Sequence, residues 1–164
     1  MRIHLRVLVA VTSVLTVASP ASAGPLTSSA RPASAHSAPA DVAFIETMLY
    51  QVSISSFTNS TRTGDPWFDW STDWCSAPLV GSTGRSFDFR APCRRHDFGY
   101  RNLQLLERRY GTGGTYWNRA SRKRVDQQLL ADMKDHCGSR PWYDQITCVA
   151  WAETFYAAVR IAAG

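Results

Sequence analysis

Apolar residues recur at helical spacing in four stretches of this 164-residue chain. In the first, Ile45, Met48, Leu49 and Val52 fall at i, i+3, i+4 and i+7, behind Asp41 as the expected N-cap. From about Ser53 to Pro92 the pattern dissolves into Ser, Thr, Gly, Pro and aromatic residues, which predicts loops, with strand-like alternation only in fragments such as Ser86 to Phe89. A second helix is predicted from near Pro92 to about Arg109, stopped by Gly111, Gly113 and Gly114. The third runs from roughly Asn118 to Cys137 along a stripe of Val125, Leu129, Leu130 and Met133, and Gly138 and Pro141 end it. The fourth, about Asp144 to Ala162, carries Cys148, Ala152, Phe155, Val159 and Ala162 on one side. No internal repeat is visible, and the expected fold class is all-α.

The N-terminus reads differently. Arg2, His4 and Arg6 precede an apolar run from Val7 to Ala18, then Pro20 and Ala21, Ser22, Ala23, the order of a secretory signal peptide over residues 1–23. The run is shorter than the roughly 20 residues a bilayer-spanning helix needs. Residues 24–40 are dominated by Ser, Ala and Pro, a composition unable to bury enough apolar surface to offset chain entropy, and are expected to be a linker or pro-segment. One domain is left, 41–164. The net charge of +5 falls to 16 basic against 13 acidic side chains without Arg2 and Arg6, a mild excess that suits anionic surfaces but also plain solubility.

Cys75, Cys93, Cys137 and Cys148 make an even count, which in an exported chain predicts two disulfides. Of three possible pairings, Cys75 with Cys93 and Cys137 with Cys148 are favoured because each closes a short loop between predicted elements. A zinc site lacks any CxxC or HxxxH spacing.

Candidate chemistry concentrates in the string CRRHDFGYRN, Cys93 to Asn102. At about 100° per residue His96 shares a face with Gly99, Tyr100 and Leu103, while Asp97 points to the polar side with Arg101, Gln104 and Arg108. On the third helix Asp126 interrupts an apolar stripe. A buried lone carboxylate is expensive, and a histidine that becomes charged during turnover compensates it. His96 and Asp126 are therefore a candidate general base and its orienting partner, against the alternative that Asp126 meets an arginine such as Arg122. GxSxG is absent and every cysteine has a better use, so the nucleophile is expected to be water. A developing oxyanion then needs a positive partner. Asp97 is one oxygen ligand for a hard cation. Asp73, in FDWSTDWC two residues before Cys75, is brought to the start of the His96 helix by a Cys75–Cys93 bridge. An irregular, incomplete oxygen set outside the cell favours calcium over magnesium. Asp69 is a weaker ligand candidate that also suits a turn cap.

FDWSTDWC, CRRHDFGYRN and RKRVDQQLLADMKDHC together resemble the secreted phospholipases A2 of the small prokaryotic and fungal type, from about Trp67 onward. The resemblance implies a small disulfide-bonded helical domain with two long, roughly antiparallel active-site helices and a loop-rich calcium-binding segment. It implies His96 as general base, Asp126 as its partner, and Ca2+ held by the Asp73 and Asp97 carboxylates and the Trp74 main-chain carbonyl. It also implies the bridges Cys75–Cys93 and Cys137–Cys148. The implied reaction is calcium-dependent hydrolysis of the sn-2 ester of phospholipids in membranes or micelles, by a secreted enzyme expected to be a monomer. The glycine-rich calcium loop and doubled cysteine of animal and venom enzymes are missing, and Trp74 is bulkier than the aliphatic residue expected there. Tyr100, one turn beyond His96, is a candidate hydrogen-bond donor to Asp126.

Two other functions fit parts of the sequence. A catalytically silent membrane-binding or toxin-like module needs only the scaffold and charge, and the intact set of His96, Asp126, Asp73 and Asp97 argues against it. A nuclease also suits histidine and a divalent ion, but no stripe of interleaved basic and aromatic residues is present, so no nucleic-acid partner is expected.

Overall fold

The computed structural model describes residues 36–75 and 87–163. The predicted signal peptide, most of the predicted linker and residues 76–86 lie outside the described residues. Five α-helices follow one another: α1 Ala38–Glu46, α2 Ile54–Ser60, α3 Arg90–Tyr110, α4 Arg119–Gly138 and α5 Trp142–Ala163, with a π-helical turn, Thr47–Gln51, continuing α1. No β-strand occurs among the described residues. Of the strand-like fragment, Ser86 is outside them and Phe87 takes part only in an isolated bridge. No helix among them is long and apolar enough to cross a membrane.

The start of α1 corrects the reading of Asp41 as an N-cap. Ser37 is the cap, its side chain accepting from the Ala40 amide, and Pro39 suits the first turn because its missing N–H needs no partner there. Helix α1 thus starts within the stretch read as linker. Asp41 is instead almost fully buried, accepting from the Trp67 indole at 2.7 Å and the Tyr110 hydroxyl at 3.0 Å. Those donors lie 26 and 69 residues away, so nothing beside Asp41 in the chain announces them. The loop prediction over 53–92 likewise missed α2. Its sequence, ISSFTNS, is too short and polar for a periodic signal, but Ser53 caps it and Phe57 is fully buried, edge-on to Phe98.

Two apolar clusters hold the helices together. One joins Ile45, Leu49, Phe57, Phe68 and Val125 to the Phe98, Leu103 and Leu106 side of α3. The other packs Phe89, Leu129, Met133, Ala152 and Phe155 around both disulfides, Cys75–Cys93 and Cys137–Cys148, whose Cα atoms are 5.3 and 5.5 Å apart. The favoured pairing is the one formed.

Helices α3 and α4 run roughly antiparallel, Arg95 reaching Asp132 while Gly99 meets Val125. Their close approach depends on Gly99: a Cβ there would stand 2.8 Å from Val125 Cγ1 and 2.9 Å from Leu49 Cδ2. The buried Arg95 adds a second tie, its Nε donating to Asp132 at 2.8 Å and its Nη1 to the Val52 carbonyl at 2.7 Å. Where α4 starts, Asn118 and Ser121 form a capping box. Just before it, the Glu107 carboxylate accepts from the amides of Gly113, Gly114, Tyr116 and Trp117, which shapes the turn between α3 and α4. Those four amides hold its carboxyl down at about 2.

Candidate active site

The closeness of α3 and α4 at Gly99 has a direct consequence one turn earlier. His96 Nε2 lies 2.8 Å from Asp126 Oδ1, across 30 residues of chain. Asp126 has no solvent exposure, as its place in the apolar stripe predicts. The Tyr100 hydroxyl donates to the same oxygen at 2.7 Å, and its ring lies against the imidazole with centroids 4.3 Å apart. On the far side of Tyr100, Trp117 packs edge-on at 5.0 Å, presented by the turn that Glu107 organises.

The sequence reading missed the third donor. Arg160 of α5 gives an N–H to Asp126 Oδ2 at 2.6 Å, so Asp126 meets both a histidine and an arginine, and the arginine is not Arg122. Burial pushes the Asp126 carboxyl up more than any single contact pulls it down. The hydrogen bonds from His96, Arg160 and Tyr100 together nevertheless hold it below its ordinary value. With Nε2 committed to Asp126, Nδ1 is the imidazole nitrogen left to accept a proton. The tautomer follows from this hydrogen bond.

Asp97 is not free on the solvent side, as helix geometry suggested, because the segment Thr72–Trp74 folds over it. Its Oδ2 accepts from the Thr72 hydroxyl and from the Asp73 amide at 3.2 Å. Thr72 Oγ1 in turn receives the Trp74 amide at 2.9 Å. Burial pushes the Asp97 carboxyl up to about 6; the Thr72 hydrogen bond opposes this and the nearby Asp73 charge adds to it. The Asp73 carboxylate is exposed and turned toward Arg101, 3.9 Å away. Trp74 has φ of 63°, a left-handed conformation that costs a side-chain-bearing residue on the order of 1–3 kcal/mol. It is the sole non-glycine residue of that kind among those described.

The segment carrying two of the predicted ligands, Asp73 and Trp74, meets the third, Asp97, through the Asp73 amide, while among the described residues no three His, Cys, Asp or Glu side chains gather as a metal-binding group. Two carboxylates and main-chain carbonyls are hard oxygen donors, and Asp97 has no cationic side chain within ion-pairing distance among the described residues. The donor chemistry fits a hard divalent cation, while the Asp73 carboxylate faces Arg101. Asp69 does not belong to this corner: its carboxylate accepts from the Ser71 amide, the turn-capping alternative. Its backbone is clamped instead by buried Asn102, whose side chain donates to the Asp69 carbonyl at 2.7 Å and accepts its amide at 2.9 Å. Asn102, the last residue of CRRHDFGYRN, thus anchors the loop that leads to the Asp97 corner.

The aromatic residues also sort. Phe68 is core and Trp117 braces Tyr100, whereas Trp74, Trp142 and Tyr143 are exposed, as are Ile146 and Ile161. A cavity of about 150 Å³ opens farther along α3, lined by Val42, Ile45, Leu103, Leu106 and Tyr116 with Glu46, Thr115 and Ser121.

Fold and site together define a disulfide-tied helical scaffold that sets a histidine on a buried carboxylate beside a corner of hard oxygen donors. A sequence profile described as prokaryotic phospholipase A2 matches residues 45–163. A secretory phospholipase A2 of Arthroderma benhamiae is 32% identical over 123 residues, covering 72% of this chain and 76% of that protein. One of Beauveria bassiana is 33% identical over 96 residues, covering 58% of this chain and 44% of that protein. The chain belongs to the prokaryotic phospholipase A2 family, and the enzyme class it falls in is phospholipase A2.

Proposed function

We propose that this protein is a secreted, calcium-dependent phospholipase A2 that hydrolyses the sn-2 ester of glycerophospholipids to a fatty acid and a lysophospholipid. The observation that carries the proposal is the 2.8 Å contact between His96 Nε2 and Asp126, which leaves Nδ1 as a base. In this reading Nδ1 takes a proton from a water molecule as its oxygen attacks the ester carbonyl carbon. The imidazolium so formed is compensated by the Asp126 carboxylate, and it returns the proton to the departing glycerol oxygen. Tyr100 keeps Asp126 Oδ1 directed at the ring. Asp97, Asp73 and the Trp74 carbonyl would hold calcium, which supplies positive charge for the substrate phosphate and for the oxygen that becomes negative in the transition state.

Support for a lipid substrate comes from the cavity, whose exposed lining is mostly apolar. Its residue Leu103 lies seven residues from His96 on α3, about 10 Å along the helix, and the lining suits an acyl chain. Secretion is supported by the two disulfides, by the signal-like N-terminus and by the relatives' description as secretory. Vesicles of phospholipid labelled separately at the two acyl positions test the reading, with plasmid cleavage run alongside. Calcium-dependent release of the sn-2 label alone is expected. Release of neither label contradicts the reading in favour of a silent module, and plasmid nicking in favour of a nuclease.

A further inference from the structure

The carboxylate behind His96 has two oxygens, and only one faces the imidazole. Oδ1 carries both His96 and Tyr100; Oδ2 carries Arg160 alone. With Arg160 in place Asp126 has no solvent exposure, so the Arg160 guanidinium is the protein group that satisfies Oδ2. The electrostatics point the same way. Between turnovers a histidine acting as base is neutral, so it cannot balance the charge of a buried carboxylate, and an unbalanced buried charge is costly. A guanidinium is cationic throughout the cycle. It also fixes the plane of the carboxylate, since rotation about Cβ–Cγ would break the Arg160 contact along with those to His96 and Tyr100.

Resting on the phospholipase reading above, we propose that Arg160 is a positioning residue for the reaction: it holds Asp126 so that Oδ1 stays on His96, making α5 a third helix of the active site. α5 is fixed for this role. Cys148, in its second turn, is bridged to Cys137 at the end of α4, and Ala152 and Phe155 pack into the core that surrounds both disulfides. Arg160 is the one basic residue of α5, and three turns beyond Cys148 it reaches back to α4 at Asp126. A surface ion pair would tolerate either partner's loss with little effect. Here one partner is fully buried and the other is 21% exposed.

The test compares wild type with Arg160→Gln, each with its disulfides intact and its folding checked by circular dichroism. Arg160→Gln is expected to lower kcat about 10- to 100-fold at unchanged KM, the size of loss seen when a group that orients a metal-bound histidine is removed. In an Asp126→Asn background the same substitution is expected to add no further loss. A readout independent of turnover is the Nε2 proton of His96 by NMR, which is expected to broaden or shift upfield in Arg160→Gln as the hydrogen bond to Asp126 loosens. A folded Arg160→Gln protein with wild-type kcat and an unmoved His96 resonance overturns the proposal, and so do losses that multiply with Asp126→Asn. Should Arg160→Gln fail to fold, Arg160→Lys decides, because it keeps the charge but not the planar geometry: lowered kcat at unchanged KM supports the role, and wild-type kcat refutes it. A wild-type protein that releases no fatty acid counts against the phospholipase reading, and the His96 resonance then still tests the role of Arg160.

Discussion

The His96–Asp126 pair and the Asp97 corner lie one residue apart on α3, yet they are built in opposite ways. Around Asp126 every carboxylate oxygen has a donor, contributed by α3 and α5, and the group is held ionised. Around Asp97 one carboxylate oxygen takes both protein hydrogen bonds, a second acid stands nearby, and burial raises the carboxyl to about 6. The backbone of Trp74 is held in a left-handed conformation beside it. The first arrangement is complete with protein groups alone. In the proposed reading a cation completes the second, so that preorganisation belongs to the base and the ion to the electrophilic side.

The comparison breaks most easily at His96. His96→Ala is expected to lower fatty acid release by about 10²- to 10⁴-fold, the usual contribution of a positioned base, while calorimetric calcium binding stays as in wild type. Loss of calcium binding in that variant would show that the two halves are one unit. A stability experiment sharpens the same point. Gly99→Ala drives a methyl group into Val125 and Leu49 between α3 and α4. A loss of about 1–3 kcal/mol in denaturant unfolding is expected from overpacking, together with reduced hydrolysis because His96 and Asp126 move apart. An unchanged midpoint would mean that the helices separate freely there.

Acid sensitivity gives a smaller effect outside both halves. The Glu107 carboxyl is lowered to about 2 from an ordinary 4.5, so its contribution is complete above about pH 4.5 and is lost as pH falls through about 2. Glu107→Gln is expected to be less stable than wild type near neutrality and to converge with it at the acid end, read by tryptophan fluorescence through Trp117. Parallel acid-unfolding curves would contradict this.

Much of this arrangement is legible in the chain because its signals are local. Helices α3, α4 and α5 announce themselves by apolar period and by glycine or proline stops, and Asp126 by being an acid on an apolar stripe. The Ser37 cap and α2 were not legible, since five polar residues around Ile54 and Phe57 carry no period; burial of Phe57 maintains that helix. Asn102 and Arg160 act through partners 33 and 34 residues distant, which no local pattern encodes. One signal did exist for Arg160. A buried carboxylate paired with a neutral histidine needs a permanent cation, and α5 has a single basic residue to offer.

The contrast between a base assembled by the protein and a corner finished by an ion is tested most directly by titrating calcium into wild type and Asp97→Asn while following sn-2 fatty acid release. Release is predicted to be absent in chelator, to rise with calcium in wild type, and to need about tenfold or more calcium in Asp97→Asn, as expected when one ligand oxygen loses its charge. Full release in chelator, or the same calcium midpoint in both proteins, would contradict the account.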